Sequence, residues 1–157
     1  MISISVQEKD FDVGEEYRQL QSGNASIGGN IGGIATFTGQ VRDLVDNPLK
    51  FMRLEHYPGM TEKSLQQTAE QATERWPVID ICIIHRIGDL APGEQIVFVG
   101  VSSAHRDAAF AACEFIMDIL KTSAPFWKKE HHVNGTSDWV DAKETDQQRA
   151  EGWNSGD

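Results

Sequence analysis

The order of predicted strands and helices constrains the fold of this chain more than any other feature of its sequence. Runs that alternate apolar and polar residues predict strands, whereas apolar residues that recur every three or four positions predict helices. The predicted strands cover residues 2–6, 34–41, 51–57, 78–87 and 95–102, with a hairpin of 126–132 and 137–140 around Asn134-Gly135, and the predicted helices cover 13–21, 61–76 and 104–122. Because these elements are mixed without a regular strand–helix–strand alternation, the α+β class is favoured. We expect a mixed or antiparallel sheet with flanking helices and a small additional β-subdomain.

The length of 157 residues suits one compact domain. A chain of this length can bury roughly two thirds of its unfolded surface, so it can fold without disulfides or a structural metal. The sequence contains no repeat and no clear linker, and we predict a single domain over residues 1–140. The polar residues 141–157 are predicted to form a loosely held C-terminal tail.

The two cysteines, Cys82 and Cys113, both lie in apolar stretches. Free cysteine is among the most often buried residue types, so we predict two core residues, with a catalytic thiol as the minor alternative. The number and positions of the cysteines give no indication of an oxidising compartment. Residues 1–7 have no basic leader, and the longest apolar stretch, 95–101, is too short to cross a bilayer. We therefore expect a cytoplasmic protein.

Positive charge is clustered on a chain whose net charge is −10. The acidic balance disfavours nucleic-acid binding, which usually needs a basic surface. The cationic residues of interest are Arg42, His105, Arg106, Lys121, Lys128 and Lys129. A local basic cluster on an acidic protein is useful for binding an anion, although scattered solvated side chains remain the alternative interpretation.

Three familiar kinds of site are not supported by the spacing of their residues. The glycine-rich run at 28–33 precedes a strand, whereas a phosphate-binding loop would precede a helix. Cys82 and His85 lie three apart in a strand and face opposite sides, and the adjacent His131 and His132 are split in the same way, so no metal site is expected. The serines at 102–103 lack the nucleophile-elbow motif of a serine hydrolase.

His105 and Arg106 fall at the start of the predicted helix 104–122. A helix N-terminus presents unpaired N–H groups and positive potential, so basic side chains there oppose the helix dipole. An unfavourable local choice of this kind suggests a function, namely anion binding. The alternative is that two solvated side chains tolerate the cost.

Lys121 lies at the opposite end of the same predicted helix. The 16 positions between residues 105 and 121 correspond to about 24 Å at 1.5 Å per residue, which is too far for one small substrate to span. Either the two ends form two sites, or one site is built from two copies of the chain. The second interpretation predicts a symmetric dimer.

Lys121 and Lys128 flank a short segment, residues 122–127, that contains Pro125, Phe126 and Trp127. A lysine beside aromatic side chains can be partly desolvated, which makes its amine usable as a base or nucleophile. Two surface lysines around a packed tryptophan are the alternative interpretation.

Six motifs in one order resemble the large subunit of molybdopterin synthase. The motifs are FTGQVR at 37–42, LEHYPGMT at 54–61, HRIG at 85–88, VFVGVSSAHR at 97–106, FIMD at 115–118 with Lys121, and APFWKKE at 124–130. The resemblance extends from about residue 11 to residue 148, and it suggests an α/β hammerhead-like form of the α+β fold.

The resemblance implies a sulfurtransferase. Two sulfurs would be added to cyclic pyranopterin monophosphate, giving the dithiolene of molybdopterin in molybdenum cofactor biosynthesis. The donor would be a small ubiquitin-like partner whose C-terminal Gly-Gly carries a thiocarboxylate, and the assembly would be a heterotetramer around a dimer of large subunits. No bound cofactor is implied, because the pterin is substrate and product.

The resemblance also implies roles for individual residues. Arg42, His105 and Arg106 would hold the phosphorylated pterin, with the His-Arg pair contributed by the opposite large subunit. Lys121 would lie at the inserted thiocarboxylate, and Lys128 near the reacting carbons. The flanking residues expected in the substrate-binding set are Gln40, Val41, Lys129 and Glu130. Gln40 stands where relatives often carry lysine, so a charged contact is not expected there.

Two function classes remain open from the residues themselves. A sulfur-transfer enzyme needs both lysines, Lys121 and Lys128, beside an anion site. A binding module that holds a phosphorylated ligand or a partner tail shares the basic cluster but does not need the lysine pair. The loop of residues 43–50 is expected to be exposed and to move, and the tail follows the family's pattern only in part, at 146–148.

Overall fold

The computed structural model describes residues 1–23, 28–141 and 144–155. The elements in chain order are β1 (Ile2–Gln7), α1 (Val13–Ser22), a 3-10 turn (Gly28–Asn30), β2 (Gly33–Gln40), β3 (Leu49–His56), α2 (Met60–Arg75), β4 (Val78–Arg86), β5 (Gly88–Leu90), β6 (Gln95–Ser103), α3 (Arg106–Thr122), β7 (Phe126–His132), β8 (Ser137–Val140) and α4 (Glu144–Ser155). Each strand and helix predicted over these residues is confirmed, with bounds that differ by two residues at most.

The first sheet has the strand order β1-β4-β6-β2. The β1–β4 pair is parallel, whereas β6 runs antiparallel to both β4 and β2. Side chains alternate between the two faces of each strand. On β4, Ile81 and Ile83 belong to the cluster that packs beneath α2 and α3, while Cys82 and Ile84 face the cluster beneath α1. The sheet is therefore covered by helices on both faces, because its central strands are apolar on both.

The second sheet has the order β5-β3-β7-β8 and is antiparallel throughout. It has its own small core of Val41, Leu49, Leu54 and Leu90. The mixed sheet with flanking helices and the additional β-subdomain are thus confirmed, and the α+β class with them. The short strand β5 was not predicted, because three residues after Ile87 are too few to show an alternation.

The prediction of a loosely held tail is wrong for residues 144–155, which form α4. The Trp153 indole Nε1 donates a hydrogen bond of 2.7 Å to Oδ2 of the buried Asp118 on α3. The Trp153 ring also packs edge-on against the rings of Trp76 and Phe115. The Arg75 guanidinium donates a hydrogen bond to the backbone carbonyl of Trp153. One aromatic residue therefore anchors an otherwise polar helix. The expected division of the chain at residue 140 remains a prediction.

Candidate active site

Lys121 is positioned by the end of α3, where its side chain is exposed in the last helical turn. A cation at a helix C-terminus is favoured by the helix dipole. The helix ends because Ser123 donates the final hydrogen bond to Ile119, and Pro125 follows two residues later. The turn is held against α2 by the buried Thr61, whose Oγ1 donates to the Pro125 carbonyl and accepts from the Tyr57 N–H.

Lys128 is positioned by β7, which lies between β3 and β8. In the sheet, Lys128 is opposite Leu54 on β3 and Val140 on β8. Its side chain is half-buried. Because side chains alternate along a strand, Phe126 and Lys128 share one face of the sheet and Lys129 lies on the other. The segment between the end of α3 and β7 therefore brings the two predicted lysines to neighbouring positions.

The imidazole of His85 lies beside this segment, although its spacing from Cys82 in the sequence indicated only that the two do not form a metal site. His85 is buried and stacks on the Phe126 ring, with centroids 3.7 Å apart. Burial lowers the pKa of His85 to about 3, and the charges of Lys128, Lys121 and His56 act in the same direction, against the hydrogen bond to the Arg86 carbonyl. Both lysines thus act electrostatically on one buried, neutral imidazole.

A second pair of titratable groups, His56 and Glu62, was also missed. His56 Nε2 lies 3.8 Å from Oε1 of Glu62, and Oε2 of the same carboxylate accepts from the Gly59 N–H at 2.8 Å. Within the described part of the chain, Oε1 of Glu62 is buried and has no hydrogen-bond partner. In the sequence, His56 lies within the 54–61 motif and Glu62 directly follows it, and this proximity was the indication of the pair.

His105 and Arg106 lie exposed at the other end of α3, where His105 is the N-cap residue. The strand β2 passes close to this end, since Gly32 donates to the Ser103 carbonyl at 2.9 Å. A Cβ at position 32 would lie 2.0 Å from the Ala104 carbonyl oxygen, so the close approach requires glycine. The helix is continuous, so within one chain the structure does not bring His105 and Arg106 to Lys121.

Gln40 is the last residue of β2, and Val41 and Arg42 follow it. Gln40 and Arg42 are exposed, whereas the Val41 side chain is 3% exposed in the core of the second sheet. The Val41 N–H donates to Glu94 and its carbonyl accepts from Gly93, so both of its backbone polar groups are already bonded. Val41 therefore fixes the chain beneath Arg42, which lines a concavity of about 500 Å³ with residues 43–47.

The last two residues of the predicted set, Lys129 and Glu130, lie on opposite faces of β7. The Lys129 ammonium lies 5.2 Å from the centre of the Trp139 ring, on the face away from Lys128. Glu130 returns to the Lys128 face by strand alternation and its Oε1 lies 3.9 Å from Nε2 of the buried His132. The imidazole Nδ1 of His132 contacts the Asn47 carbonyl at 3.1 Å, which ties the loop after Arg42 to β7.

Two further observations limit the chemistry of the site. Within residues 1–23, 28–141 and 144–155, no three His, Cys, Asp or Glu side chains form a group that could hold a metal ion. A cavity of about 400 Å³ between α2, α3 and α4 is lined by neither Lys121 nor Lys128. The arrangement offers two amines beside a neutral imidazole, which suits binding of anions and proton transfer at a reacting group.

Helices of membrane-spanning length and apolarity are not found in the described ranges. Both cysteines are buried, as predicted. Burial raises the pKa of Cys82 to about 12, with the Glu16 charge adding to the effect, and burial raises the pKa of Cys113 to about 11. Neither thiol is therefore ionised near neutral pH.

A family model described as MoaE protein matches residues 6–123 of this chain. Among curated relatives, the molybdopterin synthase catalytic subunit of Vibrio cholerae is 55% identical over 152 residues, which cover 96% of this chain and 97% of the relative. The matched stretch of the family model contains Arg42, His105, Arg106 and Lys121, and the full-length relative also spans Lys128.

Solved structures show the same relationship. The molybdopterin biosynthesis MoaE protein from Burkholderia ambifaria is similar with a TM-score of 0.81 and 49% identity, covering 98% of this chain and 99% of that one. The protein–protein complex of subunits 1 and 2 of molybdopterin-converting factor from Helicobacter pylori has a TM-score of 0.68 at 20% identity, covering 91% and 90%. The latter likeness shows the shared fold.

Proposed function

The chain belongs to the MoaE protein family, and we propose that it is the catalytic subunit of a molybdopterin synthase. The reaction adds two sulfurs to cyclic pyranopterin monophosphate and forms the molybdopterin dithiolene, a step of molybdenum cofactor biosynthesis. The observation that carries this proposal is the placement of Lys121 in the last turn of α3 and Lys128 on β7, on either side of the short turn that leads to Phe126, whose ring stacks on the buried His85. A binding module would not need this pair.

The sulfur donor that we propose is a small ubiquitin-like subunit with a C-terminal Gly-Gly thiocarboxylate. Each transfer replaces a carbon–oxygen bond of the pterin side chain with a carbon–sulfur bond, and the displaced oxygen leaves as water or stays on the phosphate. The bond between the carbonyl carbon and sulfur of the thiocarboxylate breaks, and water supplies the oxygen of the carboxylate that remains. No thiol of this chain is needed, which agrees with two buried cysteines of raised pKa. The complex of subunits 1 and 2 named for the Helicobacter pylori protein supports the existence of such a partner.

The proposed roles of the residues follow from charge. The thiocarboxylate and the phosphate ester are both anions, and positive groups stabilise both more strongly as water is excluded. Lys121 lies at the thiocarboxylate and Lys128 near the reacting carbons, where an amine can transfer a proton or act as nucleophile. Arg42, His105 and Arg106 hold the phosphorylated pterin.

A homodimer within a heterotetramer completes the proposed site. The helix α3 runs without interruption from Arg106 to Thr122, so its two ends stay about 24 Å apart in one chain. One substrate meets both ends only if the His105-Arg106 pair comes from a second copy. We also propose a cytoplasmic location, which two unpaired cysteines support.

The test is reconstitution of the reaction with the pterin substrate and a thiocarboxylated partner. We expect dithiolene formation with the natural chain, and none with Lys121→Ala. Lys9→Ala is the control, because Lys9 is an exposed residue outside the proposed site. Binding of the pterin without product would instead support a binding module, and turnover by Lys121→Ala would remove Lys121 from the mechanism.

A further inference from the structure

His85 is a buried titratable group to which the proposed roles assign no task. It lies on β4 of the first sheet, yet its ring stacks on Phe126 of the second sheet at 3.7 Å, with 17° between the ring planes. On β3, His56 is the direct partner of Phe126 and Leu54 is the partner of Lys128. Strand alternation puts Phe126 and Lys128 on one face, so His85 contacts the face that carries Lys128.

The hydrogen bond of His85 determines which ring nitrogen carries the proton. Nδ1 lies 2.8 Å from the Arg86 carbonyl oxygen, and because a carbonyl only accepts, Nδ1 must be the donor. In the neutral imidazole, Nε2 is then an acceptor. This acceptor belongs to a ring that stacks on Phe126, on the face of β7 that also carries Lys128.

We propose that His85 is a positioning residue for the sulfur-transfer site, whose Nε2 accepts a hydrogen bond from the Lys128 ammonium and orients that group toward the bound pterin. The inference rests on the proposed function and adds to it. An ammonium has three donors, so this bond is compatible with other partners of Lys128. The bond forms or shortens as substrate and partner enclose the site.

A neutral acceptor suits a lysine that must stay positive toward an anion. A carboxylate at the position of His85 would pair with the ammonium and cancel the charge that Lys128 presents near the reacting carbons. A protonated imidazole would add a third cation and repel both lysines. Burial and the charges of Lys128, Lys121 and His56 keep His85 neutral. The nearby carboxylate, Glu62, contacts His56 instead.

Two substitutions separate the acceptor from the stacking. His85→Phe keeps an aromatic ring against Phe126 but removes Nε2, whereas His85→Gln places an amide oxygen at a similar distance from the backbone. In the reconstituted synthase we expect kcat of His85→Phe to fall about tenfold while KM stays nearly unchanged. A tenfold decrease in rate is typical when a hydrogen bond to a charged group is lost. We expect the alkaline limb of its pH profile to move to lower pH, and His85→Gln to restore most of the loss.

A second measurement does not depend on activity. The full-length chain is labelled with trace acetic anhydride at constant pH, and acetylation of each lysine is quantified by mass spectrometry. Without the acceptor, a larger fraction of Lys128 is neutral, so its acetylation rate should rise about tenfold in His85→Phe and return toward the natural value in His85→Gln. The rate at Lys9, an exposed lysine, should be the same in all three proteins.

The outcomes distinguish this inference from the proposed function. If the natural chain forms no dithiolene but Lys128 labelling responds to His85→Phe, the function is wrong and the contact is right. Unchanged labelling and an unchanged pH profile in His85→Phe, with circular dichroism that shows a retained fold, would overturn the inference. If His85→Phe does not fold, His85→Leu replaces it as the variant without an acceptor: faster Lys128 labelling in folded His85→Leu than in His85→Gln supports the inference, and equal rates overturn it.

Discussion

The ring of His85 lies parallel to that of Phe126, with 3.7 Å between the ring centroids and 17° between the planes. His85 belongs to the central strand β4 and Phe126 begins β7, so this contact joins the two sheets. The Thr61 hydroxyl holds the preceding residue, Pro125, through its carbonyl. Strand β7 thus begins at a fixed position, and Lys128 follows two residues later on the same face.

The buried His85 should make the free energy of unfolding depend on pH. Its folded-state pKa of about 3 lies below the ordinary histidine value of 6.5, chiefly because of burial. Between these two pH values the unfolded chain binds more protons, so stability falls as the pH is lowered from 6.5 toward 3. Urea unfolding should show a loss between pH 7 and pH 5 that is smaller in His85→Phe by about 2 kcal/mol. The other four histidines are common to both proteins, so the comparison isolates His85.

The two cysteines should be unreactive in the folded protein. Burial raises the pKa of Cys82 to about 12 and that of Cys113 to about 11, so almost no thiolate exists at pH 8. A disulfide reagent such as dithiobis-nitrobenzoate should react at least about 100-fold more slowly than with a free cysteine. Two thiols should titrate after denaturation in urea, and rapid reaction of either thiol before it would contradict the burial.

The indole N–H of Trp153 should contribute to stability through its hydrogen bond to Asp118. Trp153→Phe keeps a ring against Trp76 and Phe115 but removes the 2.7 Å hydrogen bond to Oδ2 of Asp118, a side chain 9% exposed. A buried acceptor without its donor costs about 1–3 kcal/mol of unfolding free energy. Trp139→Phe is the matched control, because Trp139 is 55% exposed. Equal urea midpoints for the two variants would mean that α4 does not depend on this bond.

Gly32 should be required where β2 passes the start of α3. The added methyl of Gly32→Ala would lie 2.0 Å from the Ala104 carbonyl oxygen, so backbone must shift. We expect a loss of at least about 2 kcal/mol in unfolding free energy. Gly29→Ala serves as the control, since no atom lies within 4 Å of its added methyl. A thermal unfolding midpoint for Gly32→Ala equal to that of Gly29→Ala would rule out the close approach.

Local patterns were enough to predict helices α1 to α3 and the strands other than β5, and to single out the two lysines as candidates. Lys121 and Lys128 were found because a proline and two aromatics separate them within a few residues. His85 was not assigned a role, since its stacking partner lies 41 positions away, at residue 126, and no periodicity links the two. Helix α4 was missed for a similar reason: its composition is polar, and one long-range contact of Trp153 anchors it.

The length of α3 leads to a test of the proposed two-copy site. If each site combines Lys121 of one chain with His105 of another, mixing the inactive variants Lys121→Ala and His105→Ala should restore activity. A mixed dimer has one site in which both residues are natural and one in which both are altered. Random exchange makes about half of the dimers mixed, so about a quarter of the natural rate should return.

The same mixture gives no recovery if both residues act within one chain, because every site then carries one defect. Refolding the two variants together from urea, with each refolded separately as the control, ensures that chains exchange. The measured quantity is the rate of dithiolene formation with saturating thiocarboxylated partner. Recovery near a quarter would support a site shared by two copies. An inactive mixture, in which mass spectrometry detects mixed dimers, would assign the cations at the two ends of α3 to separate sites, since the helix holds them about 24 Å apart.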